Sequence, residues 1–239
     1  MQAYHIVFGA RGTSYDNAMR MCPDARADEF RQVVSRLSPP AGSIIGDIPA
    51  GGDYLRRFIP PGVGVLGFDP ATGFGARPGG DLCSLPWSDG QVDHVASIAA
   101  SHHVERKTAF FAELRRVCRP GGRLVLADVE TGSATASFLD DFVGSYNTTG
   151  HSGLFLHERE TADALRSAGW TTLAVDRVLV RWRFRDFSEL TAFCRSLFDL
   201  RGIDEDEVLR EVNERMGVDE ELSGIALRWP MMMFTARRD

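Results

Sequence analysis

Cysteine is scarce in this 239-residue sequence. Cys22, Cys83, Cys118 and Cys194 are scattered, with no spacing of the kind that holds a metal. No metal site is therefore expected, and the four read as free buried thiols in a reducing compartment. Long apolar runs are missing as well: none reaches the roughly 18 residues that a membrane-spanning helix needs. No signal-peptide pattern opens the chain. Both absences lead us to expect a cytoplasmic protein of bacterial type with no membrane partner. Positive charge is also short. Lys and Arg number 27 against 33 Asp and Glu, a net charge of −6, which argues against general nucleic-acid binding. Asn147-Thr148-Thr149 matches a glycosylation sequon, which has no meaning in a cytosolic chain.

What remains is an ordinary globular composition, 44% hydrophobic and 25% charged, at a length that suits one α/β domain with a sizeable core. There are no internal repeats. The most organised stretch runs from Ser43 to Asp69. Ser43 to Ile48 is an apolar run broken by one acid, Asp47. Ala50-Gly51-Gly52 follows, where a sharp turn and a close backbone approach need residues without a Cβ. Tyr54, Leu55, Phe58 and Ile59 recur at helical spacing until Pro60-Pro61 stops them. Val63 to Phe68 is a second buried strand and ends at Asp69. Strand, turn, helix and strand with an acid at the second tip is a nucleoside-binding arrangement, because a carboxylate accepts from both ribose hydroxyls.

This stretch resembles motif I of the class I S-adenosylmethionine (SAM) methyltransferases, D-x-G-x-G-x-G. Asp47 matches the acid and Gly51 the middle glycine, while Pro49 and Asp53 replace the outer two. Asp53 brings a carboxylate close to where the family holds the methionine carboxylate, so like charges would repel. Gly80 to Asp93, G-D-L-C-S-L-P-W-S-D-G-Q-V-D, resembles a second family signature. F-F-A-E-L-R-R-V-C-R-P-G-G-R-L-V-L-A-D-V, ending at Val129, resembles a third. The resemblance implies a three-layer Rossmann-like fold whose seven-stranded, mostly parallel sheet ends in an antiparallel strand. It also implies SAM as cofactor, held by Asp47, Gly51, Asp69, Asp81 and Leu82, with Tyr15 as a further contact or simply a packed tyrosine. The expected organisation is one domain: an N-terminal helical cover (1–42), a cofactor core (43–130) and a substrate-side half (131–239) with a helical lid (186–217).

Around that frame, residues 1 to 23 hold no clear period, and Asp24 to Leu37 reads as an amphipathic helix. A strand from Val92 to Ala100 runs into Ser101-His102-His103, at the carboxyl end where α/β sheets place ligands. Either imidazole is a candidate general base near neutral pH. Asp128 and Glu130 stand at the end of the next strand, Arg123 to Val129, as further candidates or as mere capping acids. Ser133 to Tyr146, Glu158 to Ala168, the stretch opening at Ser188, and Asp204 to Met216 read as helices. His151 lies in the loop after Tyr146 and is taken as substrate-facing. Val175 to Arg185 alternates, with Val178, Val180, Trp182 and Phe184 on one face and Arg177, Arg181, Arg183 and Arg185 on the other. That row either guards an edge strand or, through Arg181 and Arg183, holds an anion. Met231-Met232-Met233, in a last strand from Ile225 to Thr235, reads as adaptable core.

Three functions follow: methyl transfer to a small metabolite in specialised biosynthesis; the same fold turned to cyclisation or to elimination of a group such as sulfate; and a non-catalytic subunit beside an active homologue. A homo- or heterodimer is compatible with each.

Overall fold

The structure, a computed structural model, describes residues 4–74 and 80–239. Residues 75–79, within the Gly- and Pro-rich passage after Asp69, lie outside these. Four short strands form the parallel half of the sheet: β1 (Ile44–Asp47), β2 (Gly64–Gly67), β3 (His94–Ile98) and β4 (Arg123–Asp128), in the order β2-β1-β3-β4. They are the apolar runs of the sequence. β4 is almost wholly buried, as a strand covered on both faces must be. β7 (Gly224–Arg238) pairs antiparallel with β4, and β5 (Trp170–Phe184) antiparallel with β7. A short β6 (Val218–Glu221) pairs with the start of β7. Among the described residues seven strands result, and only the last runs against the others, as the resemblance implied.

Helices cover both faces. α1 (Tyr4–Met21) and α2 (Ala27–Leu37) lie with α7 (Phe187–Leu197) and α8 (Glu205–Arg215) around one apolar cluster. α3 (Lys107–Val117) and α6 (Glu158–Ser167) enclose the other. Between them, α4 (Ala134–Ser137), a π-helical stretch (Phe138–Val143) and α5 (Gly144–Tyr146) form one continuous helical run, in place of the plain helix expected from Ser133 to Tyr146. π-Helical turns often mark functional positions. Here the stretch contains Asp140.

α1 is the main departure from the sequence reading. Its amphipathic period is weak because it is clamped from several sides. Gly12 rests directly on the backbone of Gly73, where an added Cβ would stand only 2.6 Å from the Gly73 carbonyl carbon. Two glycines in a helix cost stability, but this one permits an approach that no side chain would allow. The effect is to draw α1 across the carboxyl ends of the strands.

Candidate active site

The carboxyl ends of β1, β2, β3 and β4 deliver Asp47, Asp69, Ser101 to His103 and Asp128 to one edge of the sheet. After β1 the chain turns through Ile48 to Asp53, with Gly51 and Asp53 at positive φ (56° and 62°). Gly51 donates its N–H to Asp69 (2.8 Å) and so ties the turn to the end of β2. The Asp47 carboxyl is buried against the resulting cavity, and among the described residues nothing hydrogen-bonds it. Burial pushes its pKa well above the usual carboxylate range, with Asp53 and Asp69 adding repulsion. An orphaned carboxyl in a cleft is suited to an ammonium group.

This cavity, about 40 Å3 in volume, is also lined by Tyr15, Arg26, Pro49, Tyr54 and Ala99. Arg26 comes from just ahead of α2. It is fully buried, ion-paired with Glu29, bonded to the Tyr15 hydroxyl and stacked over the Tyr15, Phe30 and Trp182 rings. Nothing in the sequence set Arg26 apart. Asp53, by contrast, does not line the cavity. Its half-exposed side chain meets Arg56 at 3.5 Å, so the expected clash with a cofactor carboxylate is turned outward.

The other end of the cleft holds Asp81 and Leu82, in a groove with Tyr4, Pro70 and Gly80. Asp81 is bonded to the Cys83 N–H (2.8 Å) and paired with Arg106 (3.0 Å). Between the two ends stands Tyr4 of α1. Its hydroxyl donates to Asp69 Oδ2 at 2.8 Å, where ribose hydroxyls would otherwise donate. The residues therefore fit SAM at the methionine end, through Asp47's unpaired carboxyl, and at the adenine end. At the centre Tyr4 has to yield.

A second cavity, about 60 Å3, adjoins the first and shares Phe8, Tyr15, Arg26 and Ala99 with it. Trp182, Trp229, Phe198, Leu139 and Leu197 supply apolar walls, and His102, His103, His151 and Arg11 the polar groups. Trp182 and Trp229 stack at 4.1 Å between ring centres. A mainly apolar pocket with a few convergent polar groups is the usual form of a small-molecule site.

The imidazoles are held from behind. Asp128 is wholly buried and accepts from the Ser101 hydroxyl (2.6 Å) and from the His102 and Val129 amides (3.0 and 2.8 Å). Burial alone would raise its pKa, but His102, Ser101 and Lys107 bring it down to about 2. An ionised carboxylate only accepts, so the 2.7 Å contact to His102 Nδ1 places a proton on that nitrogen and leaves the Nε2 lone pair free. His151 is fixed in the same way by Asp140, 2.7 Å from its Nδ1. Burial and the neighbouring His102 push the His151 pKa down to about 4. His103 is held well below its usual value by burial, then by His102 and His151.

Two groups of expected site residues lie elsewhere. Glu130 is turned onto Arg177, which grips it with two nitrogens, so it does not line this cavity. Arg181 and Arg183 face the acids of β6: Arg181 reaches Asp219 (3.4 Å) and Arg183 reaches Glu221 (2.9 Å). Arg185 pairs with Glu189. The arginine row serves its own neighbours and is not part of the cleft. His151, by contrast, joins His102 and His103. Tyr4, Arg11, Arg26 and Trp229 were missed, since each reaches the site only through the packing of α1, α2 and β7.

A family model for the methyltransferase domain matches residues 76–126. The malonyl acyl-carrier-protein O-methyltransferase of Methylococcus capsulatus is 26% identical over 208 residues, 80% of this chain and 73% of that protein. The demethylmenaquinone methyltransferase of Beutenbergia cavernae is 34% identical over 112 residues, 42% of this chain and 47% of that protein; the chain thus matches less than half of that relative's length. Among solved structures, the complex of the Haloferax volcanii Trm112 methyltransferase activator with a methyltransferase aligns at a TM-score of 0.63 and 17% identity, over 99% of this chain and 97% of that one. At such identity the structural likeness speaks for the fold alone. The fold and the family-model match over residues 76–126 thus both resemble those of the class I S-adenosylmethionine-dependent methyltransferases.

Proposed function

We propose that this protein transfers a methyl group from SAM to an acceptor heteroatom on a small, largely apolar metabolite, in specialised biosynthesis. The observation that carries the reading is the common wall of the two cavities. Phe8, Tyr15, Arg26 and Ala99 border both the Asp47 cleft and the aromatic pocket with its histidines, so a ligand in one abuts a ligand in the other. Asp47 and the turn through Gly51 would hold the methionine end, Asp69 the ribose once Tyr4 yields, and Asp81 with Leu82 the adenine. When bound, SAM supplies an electrophilic methyl group.

This chain's residues then do three things. Trp182, Trp229 and Phe198 orient a flat or apolar acceptor by stacking and exclude water. The imidazole cluster, aligned by Asp128 and Asp140, withdraws the acceptor proton. The closed wall holds the acceptor in line, which is where most of the catalysis would arise. A partner subunit has support only in the Haloferax volcanii complex, where a protein of this fold sits with an activator.

Elimination of an anionic group was expected to draw on the arginine row. With Arg177, Arg181, Arg183 and Arg185 each bound to an acid of this chain, that reading has no anion site there. The test is to incubate the protein with SAM and a panel of phenols, enols and aromatic amines, following S-adenosylhomocysteine (SAH) by mass spectrometry. One SAH per methylated product, lowered about 10²–10⁴-fold in His102→Ala, the range for losing an acid–base group, is expected. Turnover of any of these compounds without SAM would overturn the reading.

A further inference from the structure

The three histidines bear on more than proton transfer. His102 and His103 come from the single 3-10 turn after β3 (Ser101–His103), and His151 comes from the loop after α5. Their ring centres lie 4.1, 5.4 and 5.3 Å apart. One nitrogen from each falls within 4.8 Å of the other two. All three side chains are buried or nearly so, and no hydrogen bond joins any two of the rings. His103 is 95% buried in this sense, only 5% exposed, and its ring has no hydrogen-bond partner among the described residues.

We propose that His102, His103 and His151 form a three-imidazole site for a divalent transition metal ion, with its open coordination position facing the aromatic pocket. Three features support it. First, the two anchored rings are anchored correctly. His102 and His151 each give Nδ1 to a carboxylate, Asp128 and Asp140, which leaves Nε2 as the nitrogen available to an ion. Metal-binding histidines are ordinarily oriented in this way, by a carboxylate on the far nitrogen. Second, the donor set is chemically selective. Neutral imidazoles without thiolate suit zinc, cobalt or nickel rather than calcium or magnesium. Zinc–nitrogen bonds of about 2.0–2.1 Å place nitrogens roughly 3.4 Å apart in a tetrahedral site, so the rings need to close by about an ångström or a little more. Third, two carboxylates back the site. Asp128 and Asp140 offset the ion, while Arg11 lines the same pocket with its Nε buried and unpartnered. Arg11 is thus set to meet an anion bound at the open position.

The role of the ion, though not the site, rests on the methyl-transfer reading. An acceptor hydroxyl at the open position is acidified by the metal. Its O–H bond breaks and the proton passes to solvent; the O–C bond then forms as the S–C bond of SAM breaks, giving SAH. In that state His102 is a ligand, and the metal replaces it as the means of removing the proton.

The test uses tag-free protein stripped with a chelator and dialysed. Zinc is titrated calorimetrically and cobalt by visible absorption, in the wild type, His103→Ala, His103→Asn, His151→Gln and Asp140→Asn, each checked by circular dichroism. One zinc per folded chain and a tetrahedral cobalt spectrum are expected, with the spectrum lost in both His103 variants and in His151→Gln. Asp140→Asn should weaken binding about 10–100-fold, as losing such an orienting partner does. Absence of one-to-one binding by the wild type, or unchanged affinity in the folded His103→Asn variant, would overturn the site. SAH binding measured on the same samples separates the two proposals. Metal binding without SAH binding defeats the methyl-transfer reading alone. SAM-dependent turnover that survives full chelation defeats the ion's role in methyl transfer alone, and the site itself stands or falls on the zinc and cobalt titrations.

Discussion

Asp47 shows how a single residue can be set against its own fold. Its carboxyl is buried with no partner, and its pKa is raised first by that burial and then by Asp53 and Asp69. Between the ordinary carboxylate range and the raised value, the folded protein keeps the proton and the unfolded chain does not. Stability therefore falls as pH rises through that window. Asp47→Asn should stabilise the free protein by about 1 kcal/mol, in the range for relieving one poorly solvated buried group. The gain should be small near pH 4 and largest at neutral pH and above, as read by thermal melts across pH. The same change should weaken SAH, since the carboxyl would no longer meet an ammonium. A melt difference that does not vary with pH would show that Asp47 is solvated. Asp47, Gly51, Asp69 and the histidine pair were legible because the chain places them at strand tips. His151 was legible only as a loop histidine, since what joins it to His102 and His103 is the curl of the α5–α6 loop under Asp140. Arg11 and Arg26 gave no signal, because a buried arginine and a surface one read alike in sequence.

At the scale of elements, α1 decides access. Its Tyr4 hydroxyl occupies Asp69, so α1 must give way at its first turns before the ribose is gripped. Tyr4→Phe removes one competing hydrogen bond and should tighten SAH by about 5–10-fold, the worth of roughly 1–1.4 kcal/mol; weaker binding would mean that Tyr4 contacts the nucleoside instead. α1 was hidden from sequence reading because several neighbours bury it, α7 and the Gly73 backbone among them, and no single apolar stripe results. β6 was hidden too, since Val-Asp-Glu-Glu carries no strand pattern, yet its acids are what occupy Arg181 and Arg183. Exposed pairs of this sort are worth about 0–1 kcal/mol. Arg183→Ser should accordingly leave turnover unchanged and shift the melting temperature only slightly. A large loss of turnover would restore the row to the site.

At the scale of the whole molecule, the sheet was legible for a plain physical reason. Parallel strands buried on both faces must be short apolar runs, and a turn containing Gly or Pro precedes each of them here. The strand directions also agree with the sequence expectation, β7 alone being reversed. Less legible was where the pocket would lie, because its walls come from β5, β7, α1 and α7 together. Trp182 and Trp229 sit on different strands and stack only once those strands pair, Trp182 facing Leu227 and Trp229 facing Val180. Methyl transfer requires the cleft from Asp47 to Asp81 to be a SAM site. Calorimetric titration of SAH into wild type and Asp69→Ala tests it most directly. One SAH per chain is expected for the wild type, weakened by about 1.5–3 kcal/mol in Asp69→Ala, the scale of lost hydrogen bonds to a charged group. No heat of binding from folded wild type at millimolar SAH, or equal binding by the two proteins, would contradict it.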